Sequence, residues 1–240
     1  MQIRTHNKST PKDIREKFDH EVHKYGNLDH GQVSAMDSVL IMDTVAEYAG
    51  AVQSGAKELL DIGCGAGNYT IKTLAFMPAV NCTLVDLSGN MLKKAEERIS
   101  KETSGTITPL LGDIREIDLP DEKYDVVIAA TSLHHLREEV EWEHVFHKIY
   151  KAMAPGGVFL ISDLVIHDHP TINEAAWKYY WDYLLEAGGE ELKKWVYEQI
   201  DIEDSPRSLN FQMDMMRKFG FSFVEVLYRK SVFAAICGVK

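Results

Sequence analysis

The residues most suited to chemistry stand in one run, Asp61-Ile62-Gly63-Cys64-Gly65-Ala66-Gly67-Asn68, between a short apolar stretch and a helical pattern. Glycines at such a junction take positive φ cheaply and let a ligand approach the main chain, and the amides that open the next helix favour an electronegative group. Roughly twenty residues further on, at the end of the next apolar run, Asp86 is placed to accept two hydrogen bonds from ribose hydroxyls. The dinucleotide fingerprint wants GxGxxG, but Gly67 comes one residue early and Asn68 occupies the expected position, which argues against pyrophosphate. A GxxxxGK loop followed by Ser or Thr does not occur, so a P-loop nucleotide site is excluded on motif grounds.

Histidines form the second group. His134 and His135 follow another apolar run, and either can take a proton near neutral pH. Neighbours in sequence do not comfortably face one ligand, so a turn-capping role stands beside the catalytic one. His167 and His169, with Asp163 and Asp168, make a polar cluster in DLVIHDH, where alternate histidines of an extended chain share a side. A metal shared with His134 or His135 is conceivable there, but no closed ligand set is present, a solvated loop is the preferred reading and no metal is assigned. Cys64 reads as a small packing residue rather than a nucleophile, because no base neighbours it in sequence.

These residues need a scaffold that gathers strand ends. From Lys57 onward short apolar runs alternate with amphipathic segments, the rhythm of a doubly wound parallel sheet with helices on both faces. The strands are predicted at Lys57 to Ile62, Asn81 to Asp86, Ile107 to Leu111, Tyr124 to Ala130 and Gly157 to Leu164. Two more follow, Ser222 to Tyr228 and Val232 to Val239, too close together for anything but antiparallel pairing. Ser88 caps a helix reaching Ser100 with Met91, Leu92, Ala95 and Ile99 on one face, and Val140 to Met153 forms another that ends at Ala154-Pro155-Gly156-Gly157. Two segments lie outside the alternation, a helical region over 1–50 and a helical insertion over 166–219. The insertion is rich in aromatics, and Trp177, Trp181, Leu184 and Leu185 recur at helical spacing, the pattern of packing. Tyr180, Tyr183 or Trp195 are candidates to enclose an organic molecule, and Arg207 to pair with an acidic one.

Composition bounds the partners. With 45% hydrophobic and 26% charged residues over 240 positions, the chain is ordinary globular material and reads as a single domain, 1–240. A formal charge of −11 repels phosphate backbones, so nucleic acid is a disfavoured partner. Cys64, Cys82 and Cys237 are too few and scattered for a disulfide framework, which fits the cytoplasm, and neither a signal peptide nor a membrane span is expected. The sequence leaves room for a homodimer.

Five stretches, in order, resemble the motifs of the class I S-adenosylmethionine-dependent methyltransferases. LLDIGCGAGNYT is similar to the first, TLVDLS to the second, LLGDIREI to the third, YDVVIAATSLHHL to the fourth, and KAMAPGGVFLISD to the proline-glycine turn and fifth strand. The resemblance implies a Rossmann-like, seven-stranded sheet with its last strand antiparallel. It implies S-adenosyl-L-methionine held by Asp61, Gly63, Cys64, Gly65, Gly67, Asp86, Leu87, Asp113, Ile114 and Ala130, with Asp86 on the ribose and Asp113 beside the adenine amino group. FDHEVHKYGNLDH resembles the family's amino-terminal lid, which implies Tyr25 near the methionine moiety, flanked by His20, His23 and His30. His134 and His135 fall where a catalytic base would meet a small-molecule acceptor at O, N or C. Within the family, the sequence resembles both small-molecule enzymes of the ubiquinone-biosynthesis type and a group acting on tRNA uridine. The group acting on tRNA uridine by carboxymethyl transfer shares GDIREI-like and KIYKAMAPGG-like stretches and departs in the glycine loop and in DSPRSLNF. A non-catalytic cofactor-binding module is the remaining alternative; a nicotinamide oxidoreductase is contradicted by Asn68.

Overall fold

The computed structural model describes residues 7–25 and 33–240. The strands are β1 (Glu58–Ile62), β2 (Asn81–Asp86), β3 (Ile107–Leu111), β4 (Tyr124–Ala130), β5 (Met153–Leu164), β6 (Ser222–Lys230) and β7 (Phe233–Val239), in the order β3-β2-β1-β4-β5-β7-β6. Only β7 runs against its neighbours, pairing antiparallel with both β5 and β6. The order reverses between β1 and β4, the switch point outside which an open α/β sheet leaves a ligand crevice.

The helices are α1 (Pro11–His20), α2 (Val22–Tyr25), α3 (Ser38–Val52), α4 (Asn68–Leu74), α5 (Gly89–Ile99), α6 (Glu139–Ala152), α7 (Pro170–Glu203) and α8 (Leu209–Phe219). Strand alternation sends Leu59, Leu84, Ile128 and Leu160 into a core shared with α3, α5 and α7. Leu60, Val85, Val127 and Phe159 point to the other side, against Trp142 and Phe146 of α6 and Met216 of α8.

Among the strands, the start of β5 departs furthest from the sequence reading. The chain leaves α6 directly into β5 at Met153, and Ala154 to Gly157 form an irregularity inside that strand, where the register shifts between Tyr124 and Val126. Gly157 lies so close to its partner that a Cβ would stand 2.9 Å from the Tyr124 carbonyl oxygen, so proline and glycine shape a bulge here rather than a separate turn. Inside the insertion, α7 breaks at Gly188 and Gly189, and Trp177, Trp181 and Leu184 of its first half are buried as helical packing demands.

The amino-terminal region docks through α1. Thr10 and Asp13 form a capping box at its start, and Ile14 is buried. At its end, Asp19 accepts a hydrogen bond from the Ser88 hydroxyl at 2.6 Å, while that oxygen takes the Met91 amide at 3.1 Å as N-cap of α5. Ser88 therefore serves two helices at once. Ser88→Ala is expected to lower stability by about 1–2 kcal/mol, read from the urea midpoint; an unchanged midpoint would show that the cap and the docking contribute nothing.

Candidate active site

The glycine loop is fixed from behind. The Val85 carbonyl accepts the amides of Gly63 at 2.8 Å and Cys64 at 3.0 Å, and the Gly65 amide donates to Asp86 Oδ2 at 2.8 Å. Asp86 Oδ1 accepts the Ser88 amide at 2.8 Å. One bond on each oxygen leaves about two of the carboxylate's four acceptor positions for a ligand. Burial pushes the Asp86 pKa up to about 6, against the backbone amides that pull it down. Gly63 has φ +67°, and a Cβ there would stand 2.4 Å from the Ser132 Cβ, so both conformation and space demand glycine.

Asp61, at the end of β1, is buried and takes the Thr70 hydroxyl at 2.6 Å. Burial first, and the nearby Asp86 charge after it, push its pKa up to about 7, with Thr70 opposing. Cys64 is buried and its thiol is pushed well above the ordinary value by burial, so it stays protonated and packs. Leu87, Asp113, Ile114 and Ala130 line the same cavity. Asp113 has both oxygens on Arg115, Oδ1 at 2.9 Å from Nε and Oδ2 at 2.5 Å from an outer nitrogen, and Arg115 reaches Glu141 at 2.6 Å. Burial would raise the Asp113 pKa, but the Arg115 bonds outweigh it and hold it low. Tyr25 ends α2, but its side chain and that of His23 lie outside the described residues, as does His30 altogether. His20 bonds back to the Glu16 carbonyl of its own helix.

His134 and His135 sit on a single 3-10 turn, Leu133–His135, after β4. His134 Nδ1 bonds to the buried Asp163 Oδ1, whose carboxylate also accepts the amides of His134 at 3.1 Å and Leu164 at 2.7 Å. The other ring nitrogen, Nε2, faces Asp204 Oδ1 at 3.5 Å, and His135 Nδ1 faces the same oxygen at 3.6 Å. The two rings lie 4.4 Å apart, so adjacent histidines do converge on one point, against the sequence expectation. The tight turn and the arrival of the α7 end bring them there. Burial opposes a charge on His134, yet Asp163, Asp204 and Glu203 outweigh it and raise its pKa to about 9. Burial and then the His134 charge push His135 well below the usual histidine value.

The second polar cluster does not join them. His167 Nε2 bonds to the Ser231 carbonyl at 2.9 Å and its Nδ1 accepts from Arg229 at 2.7 Å, Asp168 takes Asn210 at 2.6 Å, and His169 caps α7. Sequence reasoning missed Asp204, Glu203 and Lys17. Asp204 follows the last turn of α7, Glu203 pairs with Lys17 of α1 at 2.7 Å, and nothing local marks either segment as part of a site.

A cavity of about 300 Å³ joins these parts. It runs from Asp61, Gly65 and Asp86 past Ala130 to His134, His135 and Asp204, and on to Tyr180, Trp195 and Gln199 of α7 and Phe233 of β7. Tyr180 and Trp195 thus face the cavity, whereas the Tyr183 hydroxyl bonds the Val33 carbonyl at 3.1 Å. Arg207 donates to the Arg137 carbonyl at 2.7 Å and is not part of the lining.

A seven-stranded sheet with one reversed strand, a glycine loop closed on a strand-end carboxylate, and a cavity opening at the switch point give the chain the fold of the class I S-adenosylmethionine-dependent methyltransferases. The comparisons with known proteins agree with that likeness: residues 59–157 match the family described as "Methyltransferase domain". Among curated proteins it is similar to the carboxy-S-adenosyl-L-methionine synthase of Shewanella sp. strain W3-18-1, 25% identical over 207 residues and 83% of each chain. Among solved structures it is similar in fold to an S-adenosylmethionine-dependent methyltransferase from Mesorhizobium loti, with TM-score 0.58 and 17% identity over 87% of this chain and all of that one. Human N-acetylserotonin methyltransferase, solved in complex with SAM, gives TM-score 0.58 and 17% identity over 96% of this chain, which spans 56% of the human one. No helix among the described residues is long and apolar enough to cross a membrane.

The Asp61 carboxyl holds a proton in the folded chain up to about pH 7, whereas an unfolded one loses it near its ordinary value of 3.8. The folded state therefore binds more protons between these values, and this group's contribution to stability falls as pH rises through that window. Asp61→Asn, which keeps the Thr70 acceptor, is expected to reduce the loss of stability between about pH 5 and pH 8 measured by urea unfolding. An identical loss in both proteins would contradict the assignment.

Proposed function

We propose that the chain transfers a methyl group from S-adenosylmethionine to O, N or C of a small organic acceptor. The observation that carries this is the continuity of one cavity from the Gly65–Asp86 clamp to the histidines and aromatics of the acceptor end. The clamp fits a ribose: Asp86 keeps free acceptor positions, and the place of a Cβ at Gly65 is open space bordering the cavity. Asp61 supplies a further acceptor beside the loop, for a cationic group. When bound, S-adenosylmethionine supplies an electrophilic methyl on a sulfonium.

The chain's own task is then to hold an acceptor in line, an effect worth up to about 7–11 kcal/mol. Leu164, Tyr180, Trp195 and Phe233 offer it an apolar enclosure. His134 and His135 are the catalytic residues of the reading, placed to contact the acceptor, and His135, which burial and the His134 charge hold neutral, is the one able to receive its proton where it carries one. A single cavity lined by both halves favours an enzyme over a binding module. The charge of −11 favours a small acceptor over RNA, and the free, buried cysteines favour the cytoplasm. We read the described elements as one methyltransferase domain, with α1 and α2 as its lid. A second reading, carboxyl-bearing transfer chemistry related to tRNA modification, draws on the similarity to the Shewanella synthases.

Incubation with methyl-labelled S-adenosylmethionine and a metabolite extract is expected to give a labelled small product; label on RNA alone would contradict the small-molecule acceptor. Asp86→Ala, verified as folded, is expected to bind S-adenosylmethionine at least about tenfold more weakly in calorimetry, since hydrogen bonds to a charged group are lost. Undiminished affinity would refute the ribose assignment.

A further inference from the structure

The acceptor end of the cavity holds three donor atoms that face one another, Nε2 of His134, Nδ1 of His135 and Oδ1 of Asp204, all within 4.8 Å. Asp204 Oδ1 stands 3.5 Å from one imidazole nitrogen and 3.6 Å from the other. An N–H···O bond closes at about 2.7–3.2 Å, so the three groups are spread wider than hydrogen bonding would draw them. Tetrahedral ligands at bond lengths near 2.0–2.1 Å are separated by about 3.3 Å along each edge, close to the two spacings from Asp204.

Two further observations point to a ligand between them. The His135 Nδ1 atom is buried and has no hydrogen-bond partner. The other ring nitrogen of His134 is already committed in the manner of a metal-binding histidine, which as a rule bonds outward to a carboxylate or a backbone oxygen. His134 Nδ1 is on Asp163, itself fixed by two amides. The turn and the loop carrying Asp204 are tied together, since the Ser205 amide donates to the His134 carbonyl at 2.7 Å.

We propose that His134, His135 and Asp204 hold one divalent first-row transition ion at the acceptor end of the cavity. Two imidazoles and one carboxylate suit such an ion, with Zn²⁺ the simplest probe, and three protein donors leave coordination positions turned toward the cavity. On binding, the ion takes the place of the proton on His134 Nε2, which is released to solvent. The acceptor class follows: a small molecule that brings a hydroxyl, such as a hydroxy acid or a phenol, whose oxygen the ion would fix beside the methyl donor and whose proton would leave to solvent as that oxygen meets the ion. This inference rests on the methyltransferase reading and deepens it, the two histidines acting on the acceptor through the ion rather than by taking its proton themselves.

The full chain, stripped by chelator and dialysed against Zn²⁺, is expected to keep about one ion per chain by elemental analysis. His135→Ala and Asp204→Asn are expected to bind Zn²⁺ at least about tenfold more weakly, while His144→Ala, an exposed histidine outside the cluster, keeps it. Calorimetry with S-adenosylmethionine on each protein separates the failures: wild type that binds the nucleoside but no Zn²⁺ overturns the metal site alone, and wild type that binds neither removes the methyltransferase reading beneath it. Zn²⁺ retained undiminished by both cluster variants also overturns the proposal. Should those variants fail to fold, Co²⁺ added to the wild type decides, because a cluster site gives the strong visible absorption of a low-coordinate ion with nitrogen ligands, and only the weak spectrum of the hydrated ion would contradict it.

Discussion

The Gly65 amide on the Asp86 carboxylate, at 2.8 Å, is the contact from which the site is built. It ties the loop after β1 to the end of β2, and it does so with a carboxylate that burial would prefer neutral. The same loop is held by the Val85 carbonyl and is closed over Ser132 at Gly63, where no side chain fits. With the loop pinned on both sides, the free acceptor positions of Asp86 and the exposed main chain of Gly65 are prepared for a ligand before it arrives, which lowers the ordering cost of binding.

The opposite end of the cavity is assembled from elements far apart in sequence. The 3-10 turn after β4 brings the histidines, β5 ends in Asp163, and α7 ends in Asp204, with Lys17 of α1 answering Glu203. The sequence insertion is thus more than cover for the sheet. Its first half packs through Trp177 and Trp181, and its second half, after the break at Gly188 and Gly189, delivers Trp195, Gln199 and the two acids to the cavity. Buried carboxylates and an imidazolium in one place are costly unless they answer one another, and here His134 is answered from several directions.

Much of this was legible in residue order because local chemistry wrote it. The β2 and β4 runs end where apolar character ends, Ser88 caps α5 as its side chain dictates, and the glycines announce the loop. The start of β5 was misread because Pro155, Gly156 and Gly157 signal a turn equally well when they form a bulge inside a strand. Asp204 was invisible for a different reason: its role comes from the long reach of α7, and no spacing within DSPRSLNF reports the distance to His134. The convergence of His134 and His135 likewise depends on the 3-10 turn that holds them, which the pattern SLHHL does not disclose.

In the proposed reaction one cavity holds the nucleoside on Asp86 and directs its reactive sulfur toward the histidines. A crystal structure of the chain with S-adenosylhomocysteine tests it most directly. Ribose hydroxyls on the Asp86 oxygens, with the sulfur turned toward His134 and His135, is the predicted result; a nucleoside bound elsewhere, or a sulfur facing away from the histidines, would contradict it.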